Sequence, residues 1–221
     1  MTGKPQIVSV GLAVEKDQAF PVEVDFRARF AAQHLQGAER FSHEVKELSQ
    51  QSGASGALWT DILHTSTACV FMTVASLEAY INELFADRAT IFAAHDKDDL
   101  AELWRRKHYK PTIEKFNIAL ELLGQAPLQD TSPPCNDIAV LIRLRNALMH
   151  FKPEWESRAD DHQDISTLLT GRFEPAFLPE DRLLFPRRWA CHGCTSWAIR
   201  SVWTFIRHFE KLAGIRPRIA G

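Results

Sequence analysis

Long apolar runs and a recognisable secretion signal are missing from this sequence of 221 residues. No run approaches the roughly 18 consecutive apolar residues that a membrane-spanning helix needs, so we expect no membrane partner. The first residues place one lysine before a short apolar stretch, but Glu15, Lys16 and Asp17 stand where a small-residue cleavage site would be expected. We therefore expect a cytoplasmic protein.

Net charge and cysteine are also scarce, and each scarcity excludes a class of protein. The 26 Lys and Arg nearly balance the 28 Asp and Glu, so the overall charge gives no signal of nucleic-acid binding. Four cysteines are too few for a disulfide framework in a chain of this length and suit a reducing compartment. A hydrophobic fraction of 45% is that of an ordinary globular protein. We expect one domain over residues 1–221.

Familiar cofactor and metal motifs are absent as well. The sequence has no GxxxxGK[ST] loop, no GxGxxG turn and no HExxH, and no histidine has a glutamate three residues before it, as a di-iron bundle would require. Cys191 and Cys194 in "CHGC" have a metal-like spacing, but tetrahedral zinc needs four ligands and no second pair of similar spacing exists. We expect no cofactor and no metal, and interpret the pair as thiols near the start of the last helix.

An apolar period of about 3.6 residues recurs along the chain and predicts an all-α protein, an up-and-down helical bundle with core helices over about 24–213. Residues 1–23 would be an N-terminal extension. The strongest pattern, over 57–89, predicts a long central helix. Further helices are expected at about 24–50, at 97–107, up to Gly124, from Ser132 or Asn136 to Pro153, and up to Gly214.

Two segments are expected to depart from the helical pattern. Residues 6–15 and 22–26 alternate apolar and polar residues and could pair as a short β-hairpin. Residues 153–187 are marked by prolines and are expected to form an irregular insertion before the last helix. Trp189, Trp197 and Trp203 are expected in the core, because tryptophans at helical or near-helical spacing usually pack inside.

The segment "LIRLRNALMHFKPEW" carries three polar residues where a core-facing helix should be apolar. Asn146 and His150 are four residues apart and share a face. His150 falls in the last turn, where the negative helix end favours an imidazolium. Arg145 falls on the stripe expected to be buried, which it shares with Ile138, Leu141, Ile142 and Met149. Arginine is costly there unless its charge is paired or it faces a crevice or a partner.

Two interpretations of these polar residues stay open on spacing alone. In the first, Arg145 pairs with a carboxylate of its own chain and His150 caps a helix end. In the second, Arg145, Asn146 and His150 converge on an anionic ligand such as a phosphate, because guanidinium grips oxygens in a fork and imidazole moves protons near neutral pH.

The string "RNALMH", from Arg145 to His150, resembles the R-x4–6-H motif of HEPN domains, including the polar residue that commonly follows the arginine. Its position also agrees, because the family carries this motif toward the end of a late helix of an all-α bundle. The string "SLEAYINELF" at 76–85 is similar to the central helix of larger HEPN proteins. The resemblance covers roughly residues 24–213.

This resemblance implies a homodimer in which the two motif helices meet and line one cleft. Many HEPN proteins are metal-independent endoribonucleases, some of them toxins with an antitoxin partner or components of anti-phage systems. Arg145 and His150 would be catalytic, Asn146 would orient the histidine or a phosphate oxygen, and the products would carry a 2′,3′-cyclic phosphate and a 5′-hydroxyl. Other HEPN domains are non-catalytic modules for dimerisation or ligand binding, which is the alternative function.

Basic and aromatic residues outside the motif are candidates for holding single-stranded RNA, since rings stack on bases and cations follow phosphates. The segment "WRRKHYK" at 104–110 is the best candidate, and the substrate-binding residues predicted from it and from the motif helix are Arg105, Arg106, Lys107, Lys110 and Arg143. We further expect a second subunit and a bound polyanion to complete the surroundings of the Arg145 guanidinium.

Overall fold

Helices make up the regular secondary structure of the computed structural model, which describes residues 27–51, 56–129, 132–153, 155, 160–175 and 183–219. Within these ranges there is no β-strand, so the predicted all-α class is confirmed. The predicted hairpin at 6–15 and 22–26 lies outside the described residues. The helices are α1 Ala31–Ser49, α2 Gly56–Ala86, α3 Arg88–Ile91, α4 Lys97–Lys107, α5 Thr112–Leu122, α6 Pro133–Met149, α7 Asp160–Leu169 and α8 His192–Ala213. A kinked π-helical segment at Leu184–Arg188 contains Phe185 in an extended conformation.

The long helix α2 lies at the centre of the bundle, as predicted. It packs against α1, α5, α6 and α8, and its fully buried apolar residues recur at three- and four-residue steps, as a core-facing helix requires. These residues are Val70, Val74, Leu77, Ile81 and Leu84. The last helix, α8, contributes a matching stripe of Val202, Phe205, Ile206 and Phe209 to the same core.

The "SLEAYINELF" segment of α2 connects several parts of the bundle through its polar side chains. The Tyr80 hydroxyl donates to the buried Glu210 carboxylate of α8 at 3.0 Å. One oxygen of Glu83 accepts the backbone N–H groups of Phe30 and Ala31 at 2.7 and 2.9 Å, which satisfies donors at the start of α1. The segment therefore organises the core as well as packing within it.

Two glycines end helices where the sequence predicts. Gly124 follows α5 with φ +68° and Gly214 follows α8 with φ +64°, both in the left-handed region that glycine adopts without steric cost. Ser132 occupies the residue before α6, but its side chain makes no capping hydrogen bond, and Pro133 begins the helix. Proline suits that position because the first helical N–H has no partner within the helix.

The predicted irregular insertion at 153–187 is wrong in part, because it contains α7, Asp160–Leu169. The buried face of α7 is made by His162, Ile165, Ser166 and Leu169, so half of it is polar. An apolar period cannot be read from such a helix. Ser166 also fixes the following segment, since its hydroxyl accepts the backbone N–H of Phe185 at 3.0 Å.

The tryptophans lie in or against the core, as predicted. Trp189 and Trp197 are buried, and Trp203 packs against the core while partly covered. Met149 is predicted on the buried stripe of α6, but it is 50% exposed. It is the last residue of its helix, where less of the bundle remains to cover it.

Among the described residues, α2 also meets the length and composition criteria for a membrane-spanning helix. An 18-residue window has mean hydropathy 1.3, and 39% of that window is buried inside the protein. Its sequence has no long uninterrupted apolar run because polar residues such as Thr65, Ser66 and Thr67 divide it. Core helices of water-soluble proteins pass the same test, so the criterion assigns α2 to neither setting and the cytoplasmic location stays a prediction.

Candidate functional site

A cavity of about 340 Å³ opens at the C-terminal end of α6 and is closed on its other side by α7 and the π-helical segment. Three of the residues predicted for the site, Arg143, Asn146 and His150, line it. The remaining walls come from Ala147, Lys152, His162, Asp164, Ile165 and Phe185. The cavity therefore combines cationic, amide and imidazole groups with one carboxylate, that of Asp164, and with apolar side chains.

The exposed face of α6 brings the three predicted residues together. Arg143, Asn146 and His150 follow one another at steps of three and four, and all three are exposed. The predicted shared face of Asn146 and His150 is confirmed. His150 terminates the helix, and its backbone N–H donates to the Asn146 carbonyl at 2.8 Å, so the imidazole projects from the last turn.

The side chain of Arg145 faces the central helix instead of the cavity. Its guanidinium donates to the Glu78 carboxylate of α2 at 2.7 Å, and its side chain is only 19% exposed. Arg145 is not among the residues that line the cavity in the described part of the chain. The charge is thus paired within its own chain, as the first of the two interpretations expects, whereas the second subunit and the bound polyanion stay predictions.

Glu78 lies between two cations from different helices. It pairs with Arg145 of α6 and also interacts electrostatically with Lys115 of α5. Burial lowers the pKa of Lys115, and the nearby Glu78 carboxylate opposes this effect only in part. The Arg145 guanidinium keeps donor capacity, because its buried Nε has no hydrogen-bond partner among the described residues.

Lys152, His162 and Asp164 are cavity residues that the sequence did not single out. His162 is 6% exposed, and its Nε2 lies 3.0 Å from the Lys152 carbonyl oxygen. Its ring stacks on Phe151 with the ring centroids 5.4 Å apart. It also makes an edge-to-face contact with Phe185, at a centroid distance of 5.3 Å. In the sequence, His162 stands inside the acidic string "DDHQD". No apolar pattern around this string indicates that it belongs to a helix.

The predicted RNA-binding segment "WRRKHYK" lies elsewhere. Of the cavity residues in the described ranges, none comes from 104–110. Arg105 and Arg106 pair with Glu102, and Lys110 pairs with Glu114 at 2.9 Å, all on the surface. The ring of Trp104 stacks on Phe85 at 4.1 Å, so the exposed aromatic of this segment is Tyr109, at 71% exposure. Lys107 is half-buried at the end of α4.

The "CHGC" thiols occupy the start of α8, as predicted. Cys191 precedes the first turn and Cys194 lies in it, and both are buried, as are Cys69 and Cys135. Burial raises the pKa of the Cys194 thiol well above its usual value. Within the residues that the structure describes, no group of three or more His, Cys, Asp or Glu could hold a metal ion.

The fold and the cavity define an all-α protein with a helical bundle core and a surface site that includes Arg, Asn and His at the end of one helix. No protein-family model, curated protein or solved structure matches the chain. Its function is therefore inferred from its own residues.

Proposed function

We propose that the protein is a cytoplasmic, metal-independent endoribonuclease of HEPN type that acts as a homodimer, the toxin of a toxin–antitoxin or anti-phage system. The observation that carries the proposal is the cavity at the end of α6, where Arg143, Asn146 and His150 lie on one exposed helical face. An exposed imidazole and a guanidinium that line one cavity are the groups that phosphodiester cleavage needs: one to transfer protons and one to stabilise negative charge.

In the proposed reaction, the 2′-oxygen of RNA forms a bond to phosphorus while the bond from phosphorus to the 5′-oxygen breaks. His150 accepts the 2′-hydroxyl proton, and a protonated second copy of His150 gives a proton to the departing 5′-oxygen. Cations stabilise the extra negative charge on the phosphoryl oxygens in the transition state. Arg143 is the guanidinium that lines the cavity, whereas Arg145 would act from within its pair with Glu78.

The test is cleavage of single-stranded RNA by the purified protein in EDTA. We expect products with 2′,3′-cyclic phosphate and 5′-hydroxyl ends, and a loss of at least about 100-fold in rate for His150→Ala, because general acid–base catalysis contributes that much or more. His64→Ala is the matched control, since His64 is an exposed histidine of α2 that does not line this cavity. Equal rates for His150→Ala and wild type would refute the proposal.

A second candidate function is a non-catalytic HEPN module that binds a partner or ligand. The pairing of Arg145 with Glu78 favours it, because an arginine neutralised by its own chain serves structure without any RNA. This function predicts that wild type cuts no RNA at high protein concentration and that His150→Ala weakens the dimer measured by sedimentation velocity. The nuclease predicts cleavage, and a dimer that His150→Ala leaves unchanged.

A further inference from the structure

We propose that His162 is a positioning residue that holds the end of α6 so that His150 keeps its place in the cavity. This inference rests on the function proposed above. His162 belongs to α7 and is distant in sequence from the motif residues Arg145 to His150. Its side chain nevertheless lies where the chain leaves α6.

α7 is attached to α6 at both ends, which makes the two helices antiparallel. At one end, Arg172 after α7 bonds to Asp137 and Asn136 in the first turns of α6. At the other end, His162 in α7 contacts the Lys152 carbonyl just after α6. The pairing with Arg172 fixes the start of α6, and the contact with His162 fixes its end.

His162 holds the chain through two kinds of contact. A carbonyl oxygen can only accept, so Nε2 of His162 carries a proton and donates to Lys152 at 3.0 Å. The flat face of the ring stacks on Phe151, with an angle of 22° between the planes, and Phe185 packs against both rings, at 72° to the imidazole. The two residues that directly follow His150 are thereby anchored to α7.

This anchor matters because His150 stands where α6 ends. The last turn of a helix has unpaired carbonyls and frays easily, and an open end would carry the imidazole out of the cavity. His150 is held by its own N–H bond to Asn146 on one side and by the anchored residues 151 and 152 on the other. The fraction of molecules with His150 in place sets the apparent rate.

Two substitutions separate the hydrogen bond from the stacking contact. His162→Phe keeps a ring packed against Phe151 and Phe185 but removes the donor that His162 presents to the Lys152 carbonyl. His162→Gln keeps an N–H donor near the position of Nε2 but has no ring. Arg172→Gln is the matched control, because it weakens the attachment of α7 at the end remote from His150.

We expect His162→Phe to lower kcat for RNA cleavage by about tenfold or more while KM changes less than about twofold, because misplacing a reacting group by a fraction of an ångström costs turnover. His162→Gln should recover part of kcat. Arg172→Gln should retain the wild-type kcat when Arg172→Gln and His162→Phe are each measured at a temperature that gives them the same free energy of unfolding. A general loss of stability would instead lower the rates of Arg172→Gln and His162→Phe together, and that result would overturn the inference.

Hydrogen exchange tests the same inference without any RNA. The amide of His150 donates to Asn146, so its protection reports the closed end of α6. We expect exchange of the His150 amide to rise about tenfold in His162→Phe and to stay near wild type in Arg172→Gln. An inactive wild type would end the nuclease proposal alone, whereas unchanged exchange of the His150 amide in His162→Phe would end the positioning role.

Discussion

At the scale of single residues, the pairing of Arg145 with Glu78 decides how the motif is interpreted. An arginine on a buried stripe needs an opposite charge, and Glu78 supplies it from the central helix at 2.7 Å. Arg143 directly follows Ile142 of the buried stripe but lines the cavity instead. Among the described residues, the guanidinium that lines this cavity is therefore that of Arg143, which lies outside the R-x4–6-H motif.

Removing the Glu78 carboxylate should destabilise the protein. We expect Glu78→Gln to lower the free energy of unfolding by ~1–2 kcal/mol, because Arg145 is left largely covered without its carboxylate, while the 40% exposure of Glu78 limits the cost. Urea unfolding measures the change. Glu102→Gln is the control, since its partners Arg105 and Arg106 are exposed, and it should cost less than about 0.5 kcal/mol.

Exchanging the two charges distinguishes structure from catalysis at this pair. The double variant Glu78→Arg with Arg145→Glu should recover part of the stability that either single charge reversal loses. A structural pair predicts that RNA cleavage returns with stability, whereas an arginine that contacts the phosphate predicts stability without cleavage. Cleavage rates and urea midpoints of the three variants give the answer.

At the scale of elements, helices with strong apolar stripes were predictable and α7 was not. The patterns of α2 and α8 point to their buried faces directly, because burial selects apolar side chains at every turn. α7 buries His162 and Ser166, which are held by the Lys152 carbonyl and by the backbone of Phe185. Those partners lie in other segments, so no local pattern could identify the helix or the cavity wall that it forms.

The start of α8 depends on a close approach of the chain to Gly193. A Cβ at this position would lie 2.4 Å from the backbone carbonyl oxygen of Glu174, which cannot move as a flexible side chain could. We expect Gly193→Ala to destabilise the protein by about 1–3 kcal/mol in urea unfolding. Gly56→Ala at the start of α2 meets nothing within 4 Å and should change stability by less than about 0.5 kcal/mol. Similar effects for both would contradict this account.

At the scale of the whole molecule, Asp87 connects segments that are distant in sequence. Just after α2, its carboxylate pairs with Arg27 and Arg29 before α1 and with Arg218 after α8. Burial by itself would raise the pKa of Asp87, but the guanidinium groups of Arg218, Arg29 and Arg27 outweigh it and hold the pKa below its usual 3.8. The two ends of the described chain are thus tied to the central helix.

This network predicts a specific pH dependence of stability. A carboxyl whose pKa is lower in the folded state binds protons more readily when unfolded, so its contribution is complete above the unfolded pKa and is lost as pH falls through the folded pKa. We expect Asp87→Asn to be less stable than wild type at about pH 7, with the difference shrinking by about pH 3. Urea unfolding at both pH values measures it, and parallel profiles would contradict the prediction.

The helical class, the central position of α2, the glycine ends of two helices and the shared face of Asn146 and His150 could all be predicted from the sequence. These follow from periodicity and backbone preferences, which act over a few residues. The folded bundle was needed to show that Arg145 faces Glu78, that α7 lines the cavity and that His162 lies against the end of α6. Each of these depends on contacts between residues far apart in the chain, whose geometry is set by how the helices pack together.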